Sequence, residues 1–310
     1  MNFQQAGGRI LIIGSGSMAC LFAYKMAMAG SNVSMYGRWR EGIGALQRKG
    51  VTLVEESGAL NTVPLVIATS DPDELGDYDL ILFFNKTYQL ESTLDSLARW
   101  WKQHQSMGMM FITMQNGLGN VEKISERFFS SRCFAGTTTY AASLLKPGMV
   151  KQTGVGQIDL PQALMNEPIN QWLKDAGFHA MGHKDITQNL WRKLVINCAI
   201  NPLTAIFGIE NGELLKRQAI RKQMESVINE VVDVAVAQGI VLGRDEMTKT
   251  VENVCIQTSN NISSMRKDVE RGAGTEIDAI NGAVVEIGLR AGIPVPVNQG
   301  LVQQIKEKAG

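Results

Sequence analysis

The sequence is poor in histidine, proline and cysteine: 310 residues hold three, eight and four of them. His104, His179 and His183 stand in no motif. A histidine-based dehydrogenase and a zinc hydrolase are therefore disfavoured. Cys20, Cys133, Cys198 and Cys255 form no CxxC pair and no Cys/His cluster of zinc spacing. They read as reduced thiols of a cytoplasmic protein, and no metal is expected. Few prolines argue against long extended linkers. An excess of either charge is also missing, because 30 Lys+Arg balance 30 Asp+Glu. Nucleic-acid binders carry a basic surplus or stripe, so no nucleic-acid partner is expected. No run of about 18 uninterrupted apolar residues occurs, so no membrane span is expected. The apolar run after Arg9 looks like a signal peptide, but Gly14, Ser15, Gly16 and Ser17 interrupt it and Lys25 stands near its end. It reads as folded chain.

Glycine is abundant, at 31 residues, which directs the search to tight turns and a phosphate loop. Hydrophobic residues make up 45% and charged ones 19%, the balance of a folded globular protein. At roughly 100–200 residues per domain the length suits two domains.

Residues 1–8 read as a loose tail. RILIIG (9–14) reads as a buried parallel strand, GSGSMA as a turn, ACLFAYKMAMAG as a helix ending near Gly30, and NVSMYG (32–37) as a second strand. This is a βαβ unit. DLILFF (79–84), GMMFITM (108–114) and RCFAGTTTY (132–140) continue the strands, with a helical segment around Leu90, Leu94 and Leu97 between them. Strands alternating with helices imply a parallel sheet covered on both faces. Beyond GHKD (182–185) the pattern becomes helical: 186–209, one long helix over 213–238, 245–260, 276–291, and a last short helix after GIPVPVN (292–298). Ile220, Val227, Val231 and Val234 keep the helical period. The expected fold is α/β: a Rossmann-type doubly wound parallel sheet over 1–184, then an all-α domain over 185–310.

Gly14-Ser15-Gly16-Ser17-Met18-Ala19 has the G-x-G-x-x-A form after a strand and before a helix. The first glycine makes the turn, the second admits a pyrophosphate, and the third small residue lets helix pack on strand. The helix N-terminus would hold the phosphates. An Asp or Glu about twenty residues on would favour NAD. Here the chain reads Tyr36-Gly37-Arg38-Trp39-Arg40, with no acid before Glu41. Arg38 suits a 2′-phosphate, hence NADP; the alternative is a solvated basic turn. Asn85-Lys86-Thr87 and Gln115-Asn116-Gly117 each follow a strand, where ligands of such sheets bind. Either could be an ordinary polar loop.

In the segment 191–202, Lys193, Asn197 and Asn201 are spaced i, i+4, i+8 and share one helix face. The stripe is either a wet surface or a lysine acid with amide hydrogen-bonders beside it. Thr275 and Asp278 read as a capping box, which makes Glu276 a helix-start acid on local grounds. Asn211-Gly212-Glu213 also reads as a helix start. The 15 methionines read as core filling.

Taken together these segments resemble the ketopantoate reductase family (2-dehydropantoate 2-reductases). The resemblance rests on GSGSMA (14–19), Arg38, NKTYQ (85–89), QNGLG (115–119), GTTTYAA (136–142), WRKLVINCAINPLTA (191–205), NGEL (211–214), NISSM (261–265) and TEIDAINGAVV (275–285). Ala19 stands where a third glycine is common, and 151–163 departs from the usual pattern. The resemblance implies Lys193 and Glu276 as catalytic residues. It implies Gly14, Ser15, Gly16, Ser17, Met18, Ala19, Arg38, Lys86 and Asn116 on the cofactor side. It places Asn116, Asn197, Asn201, Asn211, Asn261 and Ser264 around the substrate.

The implied reaction is hydride transfer from NADPH to the C2 ketone of ketopantoate, with Lys193 protonating the alkoxide. Burial in a cleft would lower the lysine pKa. The expected partner is a small 2-keto acid, and a homodimer is left open. The alternatives are a reductase of another branched 2-keto acid or of an imine, and a non-enzymatic NADP-binding sensor.

Overall fold

A computed structural model describes residues 7–309. Of the tail read over 1–8, residues 1–6 lie outside the described residues. Gly8 is buried and in place, its carbonyl accepting the Asn32 N–H at 3.1 Å. The chain forms two compact units, 1–115 with 120–186 and 116–119 with 187–310.

The first unit runs β1 (Arg9–Ile13), α1 (Ser17–Met28), β2 (Asn32–Tyr36), α2 (Arg40–Lys49), β3 (Val51–Val54), β4 (Leu60–Val63), β5 (Ile67–Thr69) and β6 (Leu80–Phe83). It continues with α3 (Leu90–His104), β7 (Met110–Thr113), α4 (Asn120–Phe128), β8 (Cys133–Ala135), β9 (Thr137–Thr138), β10 (Ala141–Lys146), β11 (Met149–Gly154), β12 (Ile158–Pro161), α5 (Pro168–Asp175) and β13 (Ala180–His183). Six strands make the main sheet in the order β5-β2-β1-β6-β7-β8, every pair parallel. With the β3–β4 hairpin set aside as an insertion, this is the doubly wound 3-2-1-4-5-6 order.

Side-chain alternation explains why β1 is apolar throughout. Ile10 and Ile12 join the core under α1, with Leu21 and Phe22. Leu11 and Ile13 join the opposite core, with Leu90, Leu94, Leu97 and Trp100 of α3. Each such side chain fully buried contributes about 1.5–3 kcal/mol. The stretch read as one strand over 132–140 divides at Gly136. A Cβ there would meet Met114 Sδ and Leu160 Cδ2 at 2.8 Å. The chain therefore leaves the main sheet, and β9 pairs antiparallel with β12. Helix α2 and a second sheet, β10-β11-β3-β4, add to the elements expected from the sequence.

The second unit holds α6 (Ile186–Phe207), α7 (Glu213–Lys216), α8 (Gln218–Ala237), α9 (Arg244–Gln257), α10 (Ser264–Glu270), α11 (Ala283–Ala291) and α12 (Pro296–Ala309). The long helix expected over 213–238 is two helices, because Arg217 is extended at φ −103°, ψ 102°. One extended residue between two helical runs leaves no trace in a periodicity. Ile220, Val227, Val231 and Val234 are buried as the period implies. The helix expected from 276 begins with a wide turn over Asp278–Gly282, closed by Gly282 N–H to the Ile277 carbonyl at 2.9 Å. The capping box is not formed: Asp278 pairs with Lys306 Nζ at 2.7 Å, and no side chain caps the turn. Gly292 ends α11 in the left-handed region at φ 70°, where a side chain is strained. The last helix, expected to be short, spans 14 residues. Among the described residues no helix is long and apolar enough to cross a membrane.

Candidate active site

The glycine turn sits between β1 and β6, the point where the strand order reverses. Gly14 has φ 119°, open to glycine alone at little cost, and its N–H donates to the Tyr36 carbonyl at 2.7 Å. A Cβ on Gly14 would stand 2.9 Å from the Asn85 nitrogen, so the turn packs directly on the end of β6. Gly16 differs: a Cβ there would meet nothing within 4 Å. It precedes α1 and offers no side-chain cap. Uncapped first-turn N–H groups beside open space suit the pyrophosphate of a dinucleotide. Ala19 is 1% exposed, so the third small residue lies at the helix–sheet contact.

Arg38 follows β2 and is exposed, its Nη2 donating to Ser92 Oγ at 2.5 Å. Lys86, half-buried, follows β6. Gln115 Nε2 ties the ends of β6 and β7 by donating to the Asn85 carbonyl at 2.7 Å and to Asn85 Oδ1 at 3.2 Å. Ser15, Ser17, Met18, Ala19, Arg38 and Lys86 thus belong to the first unit with the glycines.

Every other candidate belongs to the second unit, Asn116 included. On α6 the polar stripe sinks into the core along its length. Lys193 and Asn197 are half-buried, whereas Asn201 is 8% exposed. Beside the stripe, Trp191, Leu194, Val195 and Cys198 are all buried. A wet surface stripe would show its amides to water throughout, and this one does not.

Glu276 is 6% exposed. Its carbonyl accepts the N–H groups of Ala279 and Ile280, both at 3.1 Å, so it stands just before the wide turn. Its Oε2 accepts Asn116 Nδ2 at 3.1 Å. The segment 116–119 is held to the same turn by the Leu118 N–H, which donates to the Ala279 carbonyl at 3.1 Å. Gly117 is required there: at φ 83°, a Cβ would come within 2.0 Å of that carbonyl.

Asn211 and Asn261 are brought together by the Asn211 N–H, which donates to the Asn261 carbonyl at 3.1 Å. Asn211 Nδ2 donates to Thr258 Oγ1 at 2.9 Å, but Asn211 Oδ1 is buried without a partner. Such an acceptor is costly unless a ligand or water fills it. Ser264 is exposed at the first position of α10. The cap is its neighbour Ser263, whose Oγ accepts the Arg266 N–H at 3.1 Å and meets Thr204 Oγ1 at 2.7 Å. Within NISSM (261–265) the resemblance points to Ser264, whereas a serine directly before a helical run, here Ser263, is the cap signal.

A family model described as "Ketopantoate reductase PanE/ApbA" matches residues 10–164, and one described as its C terminal matches 185–309. The 2-dehydropantoate 2-reductase of Vibrio cholerae is 33% identical, over 96% of each chain. That of Archaeoglobus fulgidus is 32% identical, over 96% of this chain and 97% of the relative. A PanE/ApbA family ketopantoate reductase from Ralstonia eutropha superposes with a TM-score of 0.87 at 26% identity, over 97% of this chain and 98% of that one. A D-mandelate dehydrogenase, solved with NADH and anilino(oxo)acetate, gives the same TM-score at 25% identity over the same shares. Fold and likeness together define the class as an oxidoreductase built on a dinucleotide-type sheet with a helical second unit. Within that class, the chain belongs to the ketopantoate reductase family.

Proposed function

We propose that the protein reduces 2-dehydropantoate to pantoate with NADPH, with Lys193 as general acid. The observation that carries this reading is the pairing of Asn116 with buried Glu276. Two motif residues distant in sequence meet in the helical unit that also carries the Lys193 stripe. When bound, NADPH supplies the hydride. The glycine turn and the first turn of α1 would hold its pyrophosphate, and Arg38 and Lys86 its remaining charge. Negative charge develops on the ketone oxygen as hydride arrives. The Lys193 ammonium stabilises that oxygen and donates a proton to it. Glu276, oriented by Asn116, holds a substrate hydroxyl or the lysine. Asn197, Asn201, Asn211, Asn261 and Ser264 hold the carboxylate and hydroxyls. A small 2-keto acid is thus the partner, in a cytoplasmic enzyme.

A positioned general acid contributes about 10²–10⁴-fold. Lys193→Ala is expected to lower turnover at least about a hundredfold, with circular dichroism and NADPH binding preserved. The wild-type rate should fall as pH rises through the lysine's pKa, because the amine cannot donate as the ammonium does. Near-normal turnover by Lys193→Ala would sink the mechanism. The D-mandelate dehydrogenase likeness favours a second reading, an aromatic 2-keto acid reduced with NADH. Following NADPH and NADH oxidation with ketopantoate and with aromatic 2-keto acids separates the two.

A further inference from the structure

Proline inside a helix removes a donor as well as clashing with the preceding turn. Pro202 lies inside α6, so the carbonyl four residues earlier, on Cys198, has no helical N–H to accept. The donor comes from a distant part of the chain. Asn281 Nδ2 donates to the Cys198 carbonyl at 3.2 Å and to Asn298 Oδ1 at 2.9 Å. Both asparagines are fully buried. Asn298 Nδ2 donates onward to Glu230 Oε2 at 2.7 Å. The same carboxylate accepts the N–H groups of Val297 and Asn298 at the start of α12, both at 2.9 Å. A continuous line of bonds therefore runs from α8 through α12 and Asn281 into the middle of α6.

The two ends of this line are informative. Cys198 lies just over one turn beyond Lys193 on the same helix. Asn281 lies in the wide turn that Glu276 introduces. Wide turns of this kind collect at functional sites. Both Asn281 amide hydrogens are engaged, while its Oδ1 is buried without a partner. The side chain is thus placed for its donors at the expense of its acceptor.

We propose that Asn281 is a positioning residue: its amide bridges the Cys198 carbonyl opened by Pro202 to Asn298, and so fixes the Glu276 turn against the helix that carries Lys193. The proposal rests on the reading of Lys193 and Glu276 as the catalytic pair. Asn281 touches no reacting atom. It acts by holding two elements in register, and a misplacement of ~1 Å can cost about a hundredfold in rate.

The test is Asn281→Ala, alone and combined with Pro202→Ala. The second change restores an N–H at position 202, so the Cys198 carbonyl regains a helical donor without regaining the tie. Asn281→Ala is expected to lower Tm and to lower kcat/KM for ketopantoate by at least about tenfold. The double variant is expected to recover the part of Tm that the Cys198 carbonyl cost, Asn298 Oδ1 still lacking its donor, while kcat/KM stays low. Recovery of both together means that Asn281 only satisfies a carbonyl, and overturns the proposal. An unchanged kcat/KM in Asn281→Ala overturns it too. If Asn281→Ala does not fold, Asn281→Ser with and without Pro202→Ala is compared by the same rule. Wild-type protein that fails to turn over ketopantoate removes the functional reading alone. The tie is then read from the titration of Lys193, followed by the NMR shift of its Cε. A shifted midpoint in Asn281→Ala that persists in the double variant supports the tie, and an unshifted midpoint overturns it.

Discussion

Asn116 Nδ2 donates to Glu276 Oε2 at 3.1 Å, across 160 residues of chain. The geometry requires an acceptor at 276 and a donor at 116. Asn116→Asp would set two carboxylates at this distance, and like charges so close cannot both ionise. One pKa of the pair is then raised above the unfolded value of about 4. The linkage sign follows: a raised folded pKa stabilises below the unfolded pKa, and that contribution is lost as pH rises. The Tm deficit of Asn116→Asp relative to wild type should therefore grow between pH 4 and pH 7. A deficit independent of pH would show that the two side chains are not in contact.

Cofactor choice is tested at Arg38. Its guanidinium is exposed beyond Ser92 and free of any acidic neighbour on its own loop before Glu41. Charge-assisted bonds to a phosphate contribute about 1.5–3 kcal/mol. Arg38→Ala should raise KM for NADPH by about ten- to a hundredfold and leave NADH nearly unchanged. Equal losses with both cofactors would contradict the assignment.

The adjacent serines at the start of α10 should separate. Ser263 caps the helix, so Ser263→Ala should cost about 1 kcal/mol of stability, read by urea denaturation. Ser264 is exposed and caps nothing, so Ser264→Ala should leave stability unchanged and weaken ketopantoate binding. NADPH binding, measured by fluorescence, should not move in Ser264→Ala. Its weakening would assign Ser264 to the cofactor.

Burial pushes the Cys20 thiol up to about 12 from its usual 9.0. The folded state therefore holds the proton longer than the unfolded chain. The associated stability is complete below pH 9 and is lost as pH rises toward 12. Between these limits each pH unit favours unfolding by about 1.4 kcal/mol through this thiol. Urea midpoints measured from pH 8.5 to 10.5 should fall less steeply for Cys20→Ala than for wild type. Parallel slopes would show that the thiol ionises freely in the folded protein.

Much of the fold is legible from neighbouring residues. The glycine turn at 14–19, the strands on either side of it and the period of 220–234 are dictated by φ/ψ and by side-chain alternation, which act over a few positions. The Lys193, Asn197, Asn201 stripe is legible for the same reason, since i, i+4 spacing places residues on one face. Elements with weaker local patterns escaped: α2, the β3–β4 hairpin, and the single extended residue Arg217 between α7 and α8.

Glu276 marks the boundary between the two kinds of information. Its local sequence suggests a capping box, and only the resemblance to a family pointed to a site. Packing decided otherwise for its neighbours: Asp278 went to Lys306, and Glu276 took Asn116. Sequence alone determined that this chain would build a doubly wound sheet with a glycine turn at its centre, followed by helices with a polar stripe on one of them. Tertiary structure alone decided that Asn116 meets Glu276 and that Asn281 serves the carbonyl that Pro202 leaves open. The hydrogen bonds that settle those meetings span 160 and 83 residues. No periodicity or turn preference acts at such separations, so their partners are chosen by which elements pack together.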